Sequence, residues 1–160
     1  MKITFLGTGT SQGVPVIGCQ CEVCRSADPK DKRLRTAIHI QTEGLSLVVD
    51  TGPDFRMQML NAGIANLDAV LFTHEHMDHI AGFDDIKPFY HLQGEALAAY
   101  ATKPVQEALK RSFYYMFEAE KYPGVPEVDL HTLNDHPFQI QGLTITPLLA
   151  WHGSLPVTGF

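Results

Sequence analysis

The stretch FTHEHMDHIAG, residues 72–82, sets His74, His76, Asp78 and His79 within a single short turn, directly behind the apolar run AVLF. In an extended segment, side chains two apart point the same way, so His74 and His76 can converge on one ion while Asp78 and His79 face elsewhere. Imidazole nitrogens suit Zn, Mn or Fe, and the carboxylate adds negative charge, so the two pairs read as halves of two adjacent metal sites. A solvated polar turn with chance histidines is the plainer alternative. Four ligand-type residues so close together at a strand end weigh against it. The three cysteines, Cys19, Cys21 and Cys24, all lie inside CQCEVC. They are odd in number and too close for an ordinary disulfide framework, so their spacing suits a metal better.

These groups need elements to hold them. Lys2 to Gly7 reads as a strand, followed by the Gly- and Pro-containing loop GTGTSQGVPVIG with no helix signal behind it. That loop lacks GK[ST] and a following helix, which argues against a phosphate-cradling P-loop and for a tight loop beside the site. Two short β-branched strands follow, Thr36 to Thr42 and Leu45 to Asp50, joined through EG as a hairpin. DTGPDFRMQMLNAGI reads as strand end, turn and helix, with Pro53 at the first helical position and Gly63 as the C-terminal cap. Asp68 to Phe72 is the buried strand that delivers the histidines. Asp84 and Asp85 are expected to cap a helix to about Leu92, and a further helix to span Lys103 to Phe117, with FYYMF as its apolar face. Around Gly142 lie two more strand-like runs, leading to LLAWHG and a last strand in LPVTGF. Alternating strands and helices without a repeat favour an α/β fold.

The chain's 160 residues, 44% of them hydrophobic, suit one domain over residues 1–160. Twelve basic and eighteen acidic residues give a formal charge of 12 − 18 = −6, against a broad footprint for nucleic acid or an anionic membrane. The first strand begins at once, without a basic leader, and no apolar stretch reaches spanning length, so a soluble, cytoplasmic protein is expected.

THEHMDH resembles the HxHxDH signature of the metallo-β-lactamase superfamily, whose fold is an αββα sandwich with metals at one edge. The resemblance implies that His74, His76 and His152 hold a first metal ion, and that Asp78 and His79 hold a second and form the catalytic centre. It also implies that Asp50, in VVDTG, braces the histidine loop. GTGTSQGVPVIGCQCEVC is similar to the N-terminus of the PhnP-like subgroup of phosphonate-pathway cyclic phosphodiesterases. That subgroup implies a structural zinc on Cys19, Cys21 and Cys24. A redox pair of Cys21 and Cys24 is the rival reading, but it leaves Cys19 without a purpose. Members of the family continue past the third histidine to a bridging aspartate and further histidines. The expectation is therefore an incomplete sandwich, its N-terminal half plus the start of the second, in a fragment of a longer domain.

The activity implied is hydrolysis of a small cyclic or linear phosphodiester by a hydroxide held between two divalent ions, Zn or Mn. The tRNA-maturing endonucleases, a pyrroloquinoline quinone biosynthesis protein and glyoxalase II relatives share parts of the pattern. A non-catalytic half-fold that binds metal or a partner is the reading from another class. A second copy, or another chain completing the fold, is the expected protein partner; membrane and nucleic acid are not expected. Asp84, Asp85, His39, His91, His131 and His136 are read as structural or surface residues.

Overall fold

The computed structural model describes residues 1–42 and 44–160. Its centre is a six-stranded sheet in sequential order: β1 (Lys2–Gly7), β2 (Ala37–Thr42), β3 (Leu45–Val49), β4 (Ala69–Leu71), β5 (Leu97–Ala101) and β6 (Val128–Thr132). The first three strands are mutually antiparallel, and β3 to β6 run parallel. Thr42 pairs with Leu45 across the expected hairpin, whose Glu43 lies outside the described residues.

Every residue of β3 is buried, which explains the unbroken apolar run: both faces of this strand are covered. On one face Val48, Val70, Phe72, Ala99 and Ala101 pack under α2 (Phe55–Ala62), α4 (Lys87–Gln93) and α5 (Lys103–Ser112). Phe55 and Phe83 fill the centre and are fully buried. On the other face Leu45, Leu47, Val49, Ala69 and Leu71 meet Ile140 and Ile145, which come from a hairpin of β7 (Phe138–Ile140) and β8 (Leu143–Ile145). This cover does not reach β1. Ile3 and Phe5, paired with Ile40 and Ile38, are 52% and 72% exposed on that same face. A second hairpin, β9 (Leu148–His152) and β10 (Leu155–Gly159), leans on the site through the Thr158 amide, which donates to the Thr73 carbonyl at 2.9 Å. No helix among the described residues is long and apolar enough to cross a membrane.

Local signals are corrected in three places. Pro53 sits in the turn before α2, not at its first helical position; Asp54 takes the cap position, and Gly63 closes the helix in the left-handed conformation at φ 64°. Asp84 and Asp85 cap nothing. They lie inside a 3₁₀ turn, Phe83–Ile86, that leads into α4, and Asp84 instead accepts from the Tyr115 hydroxyl and from Lys87 Nζ at 2.6 Å. The helix expected to Phe117 ends at Ser112 and gives way to a 3₁₀ turn, Tyr114–Met116. Phe113 and Met116 turn into the core and Tyr114 remains exposed.

Candidate metal centre

Parallel pairing decides where the chemistry gathers. Because β3 and β4 run the same way, with Val49 beside Leu71, the segments leaving both strands emerge at one edge of the sheet. Asp50 follows β3 and Thr73 to His79 follow β4. The Asp50 amide donates to Leu71 O at 2.9 Å, and the Thr51 amide donates to His79 O at 2.8 Å, so the two loops are stitched together at the backbone. The approach is too close for side chains: a Cβ on Gly52 would collide with the carbonyl oxygen of Asp78. The histidine loop then turns into the short helix α3 (Met77–Ile80).

His74, His76, Asp78, His79 and His152 line one cavity of about 420 Å³, together with Ser11. The ring centre of His74 lies 4.7 Å from that of His76, 4.0 Å from His79 and 5.9 Å from His152; His76 and His152 are 5.4 Å apart. Asp78 and His79 therefore do not face elsewhere, as simple strand alternation suggested. The chain has entered α3 by that point, and helical turning brings both side chains back over the same cavity. His79 Nε2 lies 3.3 Å from Asp78 Oδ2.

Asp50 organises this set. It is 4% exposed and held at φ 66°, a left-handed conformation that aspartate tolerates better than most residues. Its Oδ1 accepts from the Thr73 amide at 2.9 Å, and its Oδ2 accepts from Thr73 Oγ1 at 2.8 Å and from His79 Nδ1 at 2.7 Å. The last bond puts the proton of His79 on Nδ1 and leaves Nε2 with its lone pair beside Asp78. The same logic reaches His74. Thr73 Oγ1 has one hydrogen, given to Asp50, so toward His74 Nδ1 at 2.9 Å the hydroxyl can only accept. His74 is thus also protonated on Nδ1, with Nε2 available as a ligand atom. One buried carboxylate fixes both tautomers.

The electrostatics follow. Burial pulls the His79 imidazole down, but the Asp50 hydrogen bond and the charges of Asp50 and Asp78 together carry it above the ordinary histidine value. Burial, then the neighbouring His79, hold His74 below it. This donor set fits divalent cations: four imidazoles, two of them with Nε2 left free by the Asp50 and Thr73 bonds, share a cavity at the sheet edge with a carboxylate.

The cysteines form a separate cluster. Cys19, Cys21 and Cys24 bring their sulfurs within 4.8 Å of one another, the only ligand trio this tight among the described residues; the histidine set is more open. All three are free thiols. The Cys24 amide donates to Cys21 Sγ at 3.5 Å, and the Val16 amide to Cys24 Sγ at 3.4 Å. The Cys24 amide, with the side chains of Cys19 and Cys24, lowers the Cys21 thiol. At Cys24 the Val16 amide acts downward, but burial and the other two sulfurs together push the thiol up. The three sulfurs thus perturb one another's ionisation within a single cluster.

Two residues of the site are not singled out in the sequence, Thr73 and Ser11, although the loop that carries Ser11 is expected beside the site. Thr73 stands directly before the motif, but its part is visible only in the bonds to Asp50 and His74. Ser11 reaches the cavity from a loop distant in sequence. His39 is buried and bonded through Nε2 to Ser46 Oγ at 2.9 Å, a structural histidine as expected. His131 and His136 line a different cavity beside Tyr100, on which His131 stacks at 4.5 Å.

A family model for the beta-lactamase superfamily domain matches residues 46–160, and the chain belongs to that superfamily. Within it the chain is PhnP-like: the crystal structure of a new diphosphatase from the PhnP family superposes with a TM-score of 0.88 at 39% identity, over 98% of this chain and 60% of that one. A protein named octanoyltransferase from Porphyromonas gingivalis is 46% identical over 163 residues, covering all of this chain and 32% of that protein. Zn(2+)-bound PqqB from Methylobacterium extorquens shares the fold, with a TM-score of 0.70 at 24% identity over 92% of this chain and 55% of that one. The chain thus spans about a third of the first curated relative and 60% of the PhnP-family structure.

Proposed function

We propose that the chain carries the metal-binding part of a hydrolase that attacks phosphorus, its substrate a small cyclic or linear phosphodiester. The carrying observation is the convergence of His74, His76, Asp78, His79 and His152 on one cavity, with the Nε2 atoms of His74 and His79 turned out by Asp50 and Thr73. The likeness to a PhnP-family diphosphatase supports phosphorus as the centre attacked, and makes a diphosphate the second substrate to try.

In this reading His74, His76 and His152 hold one divalent ion, and Asp78 with His79 hold another. Bound there, such ions lower the pKa of water and polarise a phosphoryl oxygen, so that hydrolysis proceeds near neutral pH. The chain's own part is orientation. Asp50 keeps the His79 lone pair on the cavity side and, through Thr73, does the same for His74. Gly52 lets the Asp78 backbone sit against the turn after β3, fixing the depth of the aspartate. Cys19, Cys21 and Cys24 hold a structural zinc on α1 (Glu22–Arg25) and the loop before it, a role their mutual distances support.

The test is turnover of a chromogenic phosphodiester and of a diphosphate with Zn or Mn added, beside a His76→Ala control. His76 is exposed, so its removal spares the core. Metal-dependent turnover lost in the control supports the reading. Turnover that survives the substitution excludes the site, and silence in both proteins favours a non-catalytic metal-binding fold.

A further inference from the structure

The cavity has one lining residue outside the proposed ligand set, Ser11. Its surroundings are more elaborate than an exposed loop serine requires. The loop that carries it lies flat on residues 33–36. The Gly9 amide donates to Leu34 O, Val14 and Arg33 exchange both backbone bonds, each at 2.8 Å, and Thr36 Oγ1 donates to Gly9 O at 2.8 Å. A Cβ on Gly9 would stand 2.7 Å from Arg33 O and 2.9 Å from Leu34 O, so only glycine permits that contact. Ser11 itself is held by its carbonyl, which accepts from Arg35 Nε at 2.8 Å.

That arginine is fixed in turn. Arg35 Nη1 donates to Asp54 Oδ1 at 2.9 Å, and the Arg35 amide donates to Asp54 Oδ2 at 2.8 Å. The Arg35 carbonyl accepts from Gln58 Nε2 at 2.8 Å, and Gln58 is 2% exposed. Asp54 stands at the N-cap of α2 yet gives that helix no side-chain bond; both its oxygens are committed to Arg35. A strut therefore runs from the buried face of α2 through Asp54 and Arg35 to the Ser11 backbone. The Ser11 hydroxyl has no hydrogen-bond partner among the described residues, and the side chain is exposed on the cavity.

We infer that Ser11 is a substrate-contacting residue, its hydroxyl donating a hydrogen bond to a non-bridging phosphoryl oxygen seated over the histidines, with Arg35 and Asp54 as the positioning pair. The inference rests on the phosphorus-directed reading of the site. A hydroxyl suits this role because it donates to an anion without adding charge that would repel the cations, and a rigidly held donor needs little ordering when the ligand arrives. The Nδ1–H groups of His74 and His79 are already given to Thr73 and Asp50, and an ionised carboxylate at Asp78 has no hydrogen to give, so none of these three supplies such a donor.

The experiment uses inorganic phosphate as the probe, titrated calorimetrically into the full chain loaded with Zn or Mn, with metal content measured on each sample. Ser11→Ala is expected to weaken phosphate binding about tenfold, the scale of one hydrogen bond to a charged group, at unchanged metal content. Ser11→Thr, which keeps the hydroxyl, restores most of the affinity. Arg35→Gln weakens binding in the same direction without touching the cavity, and the KM for a phosphodiester rises in parallel. Equal phosphate affinity in wild type and Ser11→Ala overturns the inference while the hydrolase reading stands. A metal-loaded wild type that binds no phosphate overturns both together.

Discussion

Replacing Asp50 by asparagine preserves the shape of the side chain and reverses half of its hydrogen-bonding sense. The carboxylate accepts three bonds, from the Thr73 amide, the Thr73 hydroxyl and His79 Nδ1. A side-chain amide offers one accepting oxygen and one NH2 group. With the oxygen toward the Thr73 amide, the NH2 group stands where Oδ2 was, 2.8 Å from Thr73 Oγ1 and 2.7 Å from His79 Nδ1, and donates to both. His79 must then carry its proton on Nε2. The Thr73 hydroxyl, now accepting from the NH2 group, turns its own hydrogen to His74 Nδ1, and that ring also protonates on Nε2.

Turned the other way, the NH2 group faces the Thr73 amide and a buried donor is stranded, at about 1–3 kcal/mol. In the first orientation two proposed ligand atoms lose their lone pairs, and metal affinity is expected to fall by about 10–100-fold, or about 1.4–2.8 kcal/mol. Competition with a chromophoric chelator measures the affinity. Nitrogen chemical shifts of the metal-free protein, recorded above the pH at which His79 takes up its second proton, report the tautomers directly. Wild type should show Nδ1–H on His74 and His79, and Asp50→Asn the reverse. Unchanged tautomers together with unchanged affinity refute the reasoning.

Three further outcomes are expected. Gly52→Ala forces a methyl against the Asp78 carbonyl and should cost about 1–3 kcal/mol in urea unfolding, with loss of metal uptake; a variant of wild-type stability contradicts the close approach. His39 is kept below the ordinary histidine value by burial and then by Lys2, so on acidification the unfolded chain takes up a proton that the folded chain refuses. Its contribution to stability therefore falls as pH drops from the ordinary histidine value toward the lower folded one. His39→Gln should flatten that part of the metal-free stability profile, and an unaltered slope counts against it. Cys21→Ser should lower the zinc content of purified protein by a single ion per chain while the histidine site still loads; unchanged zinc content removes the structural-zinc assignment.

The proposed ligands that lie close together in the chain were legible because their chemistry is local. His74, His76, Asp78 and His79 occupy one turn, and the cysteines another, so each group is marked by its spacing even where the direction of a side chain is not. Asp50 and His152 came from resemblance, since nothing in VVDTG or LLAWHG by itself says where those side chains go. Strand alternation misled for Asp78 and His79 because the chain changes from extended to helical at Met77, in the middle of the motif. Asp84 and Asp85 look like capping residues by type, but a lysine three residues on and a distant tyrosine compete for Asp84 more effectively than backbone amides do. At the 3₁₀ turn after Ser112, Phe113 and Met116 are buried in the core, a long-range demand that helix periodicity does not announce. The bonds of Thr73 and the reach of Ser11 depend on parallel pairing and on contacts more than twenty residues apart, which no short window contains.

His152 arrives on a strand whose every residue is exposed, whereas its partner His74 is 7% exposed. In the proposed centre a cation would therefore join a buried wall to an exposed arm. Reciprocity of coupled equilibria requires that whatever grip this arm adds to the ion, the ion returns as resistance of the arm to swinging away. Amide exchange in Leu148–His152 and Leu155–Gly159 would then slow on metal addition by the same factor that His152→Ala takes from the affinity, so a measurement on backbone amides would weigh a side chain's share in holding the ion.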